Sequence, residues 1–295
     1  MKFLSELSKE TLICSELQVK DYKEILKSSY GEDVNMQLFI ETLCEVFATI
    51  SKKTPDYFKN LNLIDLFCFL LDVRVNSQGD ECKVIITRDD TKMTLSLRLD
   101  YIKEELKALF GSITKRIDQG AISIVFECPS IQRILQPAKE EYLAFIRGCY
   151  IKREERTQFV EITTNEQAEQ LIEKLSPKTL MHIIDQFEQF YRVFYNVNFL
   201  SRYSIPNQRL SFVPSLDSLL WYTKLTFSES LETFYSNLFY LSHLGNMGAD
   251  YIENAVVGEY NYFVGQLRQT LASKNSSEDS NQNMQDNTGF PEDSF

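Results

Sequence analysis

The sequence predicts an α+β fold: a helix-rich N-terminal domain with a small antiparallel sheet, an all-α C-terminal module and a disordered acidic tail. Three observations carry this. Apolar residues alternate with polar ones in "KMTLSLRL" and again in "AISIVFE", the period of a strand with one buried face. From Thr163 onward the apolar spacing is helical almost throughout. The last stretch, "SKNSSEDSNQNMQDNTGFPEDSF", holds too little apolar surface to offset the entropy of ordering it.

Along the chain, the apolar stretch "TLICSEL" precedes "VKDYKEILKSSYGE", where Tyr22, Ile25 and Leu26 share a helical face and Gly31 stops it. Two further helices are expected. In "MQLFIETLCEVFATIS", Phe39, Leu43, Val46, Phe47 and Ile50 are in register, and "NLIDLFCFLLDV" follows the Thr54-Pro55 break. "CKVIIT" and "KMTLSLRL", joined by "RDDTK", make a hairpin with Met93, Leu95, Leu97 and Leu99 on one side. After a helix in "DYIKEELKALF", the run "AISIVFE" is expected to add a third strand. A helix in "AKEEYLAFIRGCY" and a solvated charge run, "KREER" at 152 to 156, close this region.

In the second half, Thr164 with Gln167 reads as a capping box, and Ser176-Pro177 as an N-cap followed by proline at the first helical position. That helix carries Leu180, Ile183, Ile184, Phe187, Phe190, Tyr191 and Phe194 as a stripe. A proline-containing loop leads to a helix in "LDSLLWYTKL", then to one capped by Thr226 and Glu229 with Phe227, Leu231, Phe234, Leu238 and Leu241 inward. The implied boundaries are 1–160 for the α+β domain, 161–272 for the helical module and 273–295 for the tail.

The stretch "HLGNMGADYIENAVVGEYNYFVGQL" poses the sharpest question, because four glycines could cradle a phosphate. No lysine or Ser/Thr follows at the spacing a phosphate loop needs, and no strand precedes it. The alternating oxygens of a calcium loop are missing as well. It reads as a helix joint: Gly245 and Gly248 turn the chain, "ADYIEN" forms a short helix, Gly258 permits a second change of direction, and Tyr260, Phe263, Val264 and Leu267 begin the last helix.

Composition narrows function. The 295 residues are 43% hydrophobic, ample for a core, and the formal net charge of -11 opposes a grip on nucleic acid or anionic lipid. The six cysteines, at 14, 44, 68, 82, 128 and 149, form no C-x-x-C pair and sit partly in apolar runs, as free buried thiols do. No signal peptide or membrane-inserted segment is expected, since "MKFLSELSKE" lacks an uninterrupted apolar stretch and "LIDLFCFLLDV" contains two aspartates. His182 and His243 are the only histidines, and both read as structural. The acid pairs Asp89-Asp90, Glu140-Glu141 and Glu154-Glu155 lack the spacing of a glycosidase pair. No catalytic, cofactor-binding or metal residues are assigned. The expected partner surface lies at the helix joint, where Tyr251, Ile252, Tyr260 and Tyr262 would supply apolar anchors bordered by Glu259.

The stretches "LICSELQVKDYKEILKSSYGED", "TPDYFKNLNLIDLFCFLLDVR" with "CKVIITRDDTKMTLSLRLDYI", and "LETFYSNLFYLSHLGNMGADYIENAVVGEYNYFVGQL" resemble the baseplate hub and hub-assembly proteins of T-even-like contractile-tailed bacteriophages. The resemblance implies a non-enzymatic structural or chaperone-like assembly protein. It would be made in the host bacterial cytoplasm and act on the tail baseplate through contacts with other hub or tail proteins. Two alternatives belong to other classes. A phage tail-associated hydrolase or other soluble enzyme would need an open cleft with a convergent acid pair. A nucleic-acid-binding regulator would need a basic recognition face.

Overall fold

The computed structural model describes residues 2–4, 10–88, 91–153, 156–203, 205 and 209–285. The fold is α+β, with a small antiparallel sheet and a helical C-terminal region. Contacts group the chain into two units: Met1–Glu16 with Glu24–Ser228, and Leu17–Lys23 with Glu229–Phe295. This grouping keeps residues 161–228 with the sheet and separates the helices that follow, whereas the sequence places a boundary at 160/161.

In the first unit, a two-stranded ribbon of β1 (Lys2–Leu4) and β2 (Thr11–Ile13) precedes helix α1 (Val19–Ser29), whose first residues belong to the second unit. Helix α2 (Met36–Ser51) is capped by Asn35, whose side chain accepts from the Leu38 amide, and α3 (Pro55–Asn60) is capped likewise by Thr54. Helix α4 (Leu63–Gln78) buries an uninterrupted run from Leu63 to Leu71, so it is packed on all sides rather than along one stripe. Phe3, Phe47 and Phe58 surround its Phe69, and Phe212 stacks on its Phe67 at 4.2 Å. Arg74, buried near the end of α4, donates to the carbonyls of Gly79, Glu81 and Thr226.

Strands β3 (Glu81–Arg88) and β4 (Thr91–Arg98) pair as the expected hairpin. Among its described side chains, Cys82 and Leu97 at its base are buried, while Ile85 and Met93 are exposed. The hairpin is a sheet of its own. Helix α5 (Leu99–Leu109) follows, and "AISIVFE" becomes β6 (Ile122–Glu127) of a second, four-stranded sheet with β5 (Thr114–Gln119), β7 (Ile146–Arg153) and β8 (Arg156–Glu161), ordered β5-β6-β7-β8 and antiparallel throughout. The expected third strand therefore exists but joins a different sheet.

The expected helix over "AKEEYLAFIRGCY" is replaced by a 3₁₀ turn at Glu141–Phe145 and then β7. Gly148 and the β-favouring residues around it oppose a helix and suit a buried strand. An added Cβ at Gly148 would lie 2.5 Å from Cζ of Phe159 and 2.6 Å from the Val160 carbonyl oxygen, so β8 crosses this position closely. "KREER" spans the end of β7 and the start of β8, with residues 154 and 155 outside the described set. The short helix α6 (Ile131–Ile134) lies between β6 and β7 in sequence, α7 (Asn165–Ile172) follows β8, and α7 shows the capping box of Thr164 and Gln167. Helix α8 (Pro177–Asn196) covers one face of the sheet: Phe187 and Phe190 pack on Phe126 and Phe145. Helix α9 (Leu216–Thr226) closes this unit, with Tyr222 against Phe67.

The second unit contains α10 (Leu231–His243), α11 (Ala249–Asn254) and α12 (Val257–Gln285), joined by residues 17–23. The cap of α10 is Ser230 rather than the expected pair of Thr226 and Glu229; Thr226 is the last residue of α9. Helical backbone of α12 continues through residues 274–285, the first part of the stretch read as a disordered tail, and 286–295 lie outside the described residues.

Candidate partner surfaces and the polar cavity

The joint that the sequence singles out is a helix joint in the structure as well. Gly245 ends α10 because its backbone approaches the Leu241 carbonyl: an added Cβ would lie 2.6 Å from that oxygen. The left-handed residue is its neighbour Asn246, at φ 52°. The second change of direction falls at Ala255, ahead of Gly258, which is already inside α12. An N-terminal segment fastens this joint. The Val19 amide donates to the Ala255 carbonyl and the Val257 amide to the Leu17 carbonyl, both at 2.9 Å. Lys20 bonds Asn254 at 3.2 Å, and Lys23 pairs with Glu253.

The five residues expected at the partner surface separate into two groups. Tyr260 is 1% exposed and Ile252 is buried with it, so neither is available as a surface anchor. The reason is the angular position of Tyr260 on α12, shared with the buried Val257 and Val264. Its ring packs on Phe234 at 5.5 Å, beside Tyr22, and its hydroxyl donates to Glu229 Oε1 at 3.2 Å. Asn237 also donates to that oxygen, at 2.7 Å, and burial raises the Glu229 carboxyl above its ordinary pKa despite these bonds. Tyr251 and Tyr262, by contrast, are 56% and 63% exposed, and Glu259 is exposed. Phe263 links the two rings, at 6.5 Å from Tyr251 and 5.8 Å from Tyr262.

A second exposed aromatic group was not read from the sequence. Helix α10 buries Phe234, Asn237 and Leu241, yet Tyr235, Phe239, Tyr240 and Leu244 are exposed. With roughly 100° of turn per residue, Phe239 falls on the side opposite the buried row. It is 55% exposed and stacks on His243 at 4.1 Å, whose Nδ1 lies 3.2 Å from the Phe239 carbonyl. The available signal is the near-continuous apolar run in "FYSNLFYLSHL", too broad for one stripe. His182 is exposed on α8.

The first unit holds a cavity of about 600 Å³ lined by Asn62, Asp65, Glu127, Arg133, Arg147 and Glu161 among others. Most of its polar groups already serve the fold. The Asn62 side chain donates to Asp65 at 3.0 Å, and Arg147 donates to Glu127 at 2.7 Å. Buried Arg133 spends its donors on Asn165 and the carbonyls of Ile162 and Leu143. Burial raises the Glu127 carboxyl even against the pull of Arg147. Of the acid pairs in the sequence, Glu141 accepts the Tyr191 hydroxyl at 2.9 Å, while Asp89-Asp90 and Glu154-Glu155 lie outside the described residues. Among the described residues no group of three or more His, Cys, Asp or Glu could hold a metal ion. No described helix is long and apolar enough to cross a membrane.

A family model described as T4 bacteriophage base plate protein matches residues 2–199. The chain belongs to this base plate family. No curated protein and no solved structure matches it. The part of the base plate protein that carries the match runs from β1 through α8, including the four-stranded sheet and the polar cavity. Helices α10 to α12, with their exposed aromatic rings, follow the matched segment.

Proposed function

We propose that this base plate protein is a non-enzymatic structural or chaperone-like assembly component of the base plate hub, made in the host bacterial cytoplasm and acting through contacts with other hub or tail proteins. One observation carries the choice of surface: Tyr235 and Phe239 are exposed on the side of α10 away from its buried row, with Tyr240 exposed on the flank and Leu244 exposed at its C-terminal end. Exposed aromatic clusters mark sites that bury surface against a partner, and rings of this kind dominate the binding energy where they are fully desolvated. Tyr251 and Tyr262 extend the reading to α11 and α12 of the same unit.

The test is co-purification with base plate hub proteins. Phe239→Gln, and the pair Tyr251→Ala with Tyr262→Ala, should keep the wild-type thermal midpoint while weakening capture about tenfold or more. Undiminished capture by all of these variants would move the partner surface elsewhere.

The hydrolase reading has one observation in its favour, the raised carboxyl of Glu127 beside the polar cavity. Glu127→Gln decides it. On the proposed function this variant assembles base plates normally, whereas a catalytic acid would lose cell-wall cleavage with folding intact.

A further inference from the structure

The four-stranded sheet has two edges, and they differ in chemistry. Edge β5 reads "TKRIDQ", with charges at alternating and adjacent positions that discourage further pairing. Edge β8 reads "RTQFVE", and its central Thr157, Gln158, Phe159 and Val160 carry no charge, no proline and no bulge. All residues from 157 to 161 are exposed, with Phe159 at 37% and Val160 at 38%. The Ile162 amide donates to the Arg147 carbonyl at 2.8 Å, which fixes the alternation of the antiparallel ladder. Even-numbered residues of β8 face β7, so the backbone groups of Thr157, Phe159 and Glu161 point away from it.

We infer that β8 pairs with β8 of a second copy of this chain, antiparallel and centred on Phe159, to give a continuous eight-stranded sheet. Outward-pointing groups must face outward-pointing groups, so odd residues oppose odd residues. In this register Phe159 opposes Phe159 of the second copy, and Thr157 opposes its Glu161. The observed rows of the sheet then continue across the pair. On the face away from α8, Tyr150 neighbours Phe159 with ring centroids 4.9 Å apart, so two rings from each copy form one aromatic row. On the α8 face, the row Ile117, Ile124, Cys149 and Val160 extends onto Gln158 and Ile151 of the second copy.

Charge selects this occupant. Lys152 opposes Thr157 within one copy, so Glu161 of one copy and Lys152 of the other lie on one face two strand spacings apart, roughly 10 Å between Cα positions. Both are exposed, long and opposite in charge, and the two-fold axis makes the match twice. The overall charge of -11 does not oppose the contact locally, because residues 152 to 161 hold Lys152, Arg153 and Arg156 against Glu154, Glu155 and Glu161. The edge is short, so the contact is small and the dimer is expected to be weak, with a dissociation constant on the order of micromolar to tens of micromolar.

Analytical ultracentrifugation of the full chain from about 1 to 200 μM tests this, with hydrogen exchange read at both ends of the range. A concentration-dependent dimer is expected, and the amides of Thr157, Phe159 and Glu161 should gain protection as it forms while those of Gln158 and Val160 are protected throughout. Phe159→Lys should weaken the dimer at least tenfold with an unchanged thermal midpoint. If that variant loses stability, charge reversal decides: Lys152→Glu and Glu161→Lys should each weaken the dimer, and the double variant should restore it. A chain that stays monomeric to 200 μM overturns the inference, as does a dimer indifferent to all these changes. A monomer whose Phe159→Lys variant loses a tail protein instead assigns the edge to a different partner and equally overturns the second copy.

Discussion

Glu229 shows how one side chain can tie stability to pH. Its folded pKa is raised, chiefly by burial, so the stability it contributes is full below the unfolded carboxylate value of about 4.3 and is lost as pH rises through the higher folded value. Glutamine keeps the oxygen that accepts from Asn237 and Tyr260 and never ionises. Glu229→Gln should therefore raise the thermal midpoint at pH 7.5 and change it little at pH 4.5; an equal effect at both would remove Glu229 from the account. Gly148 is sensitive for steric reasons. Gly148→Ala forces the Phe159 ring and the β8 backbone to move, and denaturant titration should show a loss of about 1 to 3 kcal/mol. The six cysteines are free and buried, and burial lifts their thiols, Cys44 to about 12 and Cys82 to about 11, so they serve as small core residues.

Among the elements, α12 offers the clearest contrast between core and surface. Tyr260→Ala removes a ring packed on Phe234 together with a bond to Glu229, and should cost about 3 kcal/mol or more in a denaturant titration. Tyr262→Ala, two residues away, should fall within about 0.5 kcal/mol of wild type. Comparable losses would contradict the separation of the two rings. Local rules made much of this region legible: α11 coincides with "ADYIEN", and the caps at Thr164 and Ser176 need only neighbouring residues. Periodicity placed Tyr260 and Tyr262 on different faces of α12, but only packing shows which face Phe234 covers. Strand partners were harder. "AISIVFE" reads as a strand, yet nothing within it distinguishes β4 from β5 and β7 as neighbours, because strand partners are set by contacts distant in sequence. Strand β7 was hidden by apolar residues whose spacing also fits a helix, and Gly148 was the residue that could have decided otherwise.

For the molecule as a whole, the base plate match spans residues 2–199, while the exposed rings of α10 to α12 lie beyond it. The stretch after Ser273 obeys different physics from the packed helices before it. Helical backbone reaches Gln285, but Met284 is the only apolar residue between Ser273 and that point, and a helix without an apolar face is marginal in water. Limited proteolysis should cut beyond Ser273 before any other site, and protection of that stretch in the isolated protein would refute the expectation. The second unit has a property with consequences for synthesis, since it is assembled from residues 17–23 and 229–295. Ribosomes deliver those pieces far apart in time. The 206 residues from position 23 to position 229 take about 10 to 40 s to translate at bacterial rates. Throughout that interval the nascent chain presents Leu17 and Val19 without the backbone partners Val257 and Ala255, and every product terminated before α11 leaves them so. Completion of this unit therefore reports that translation has passed Val257.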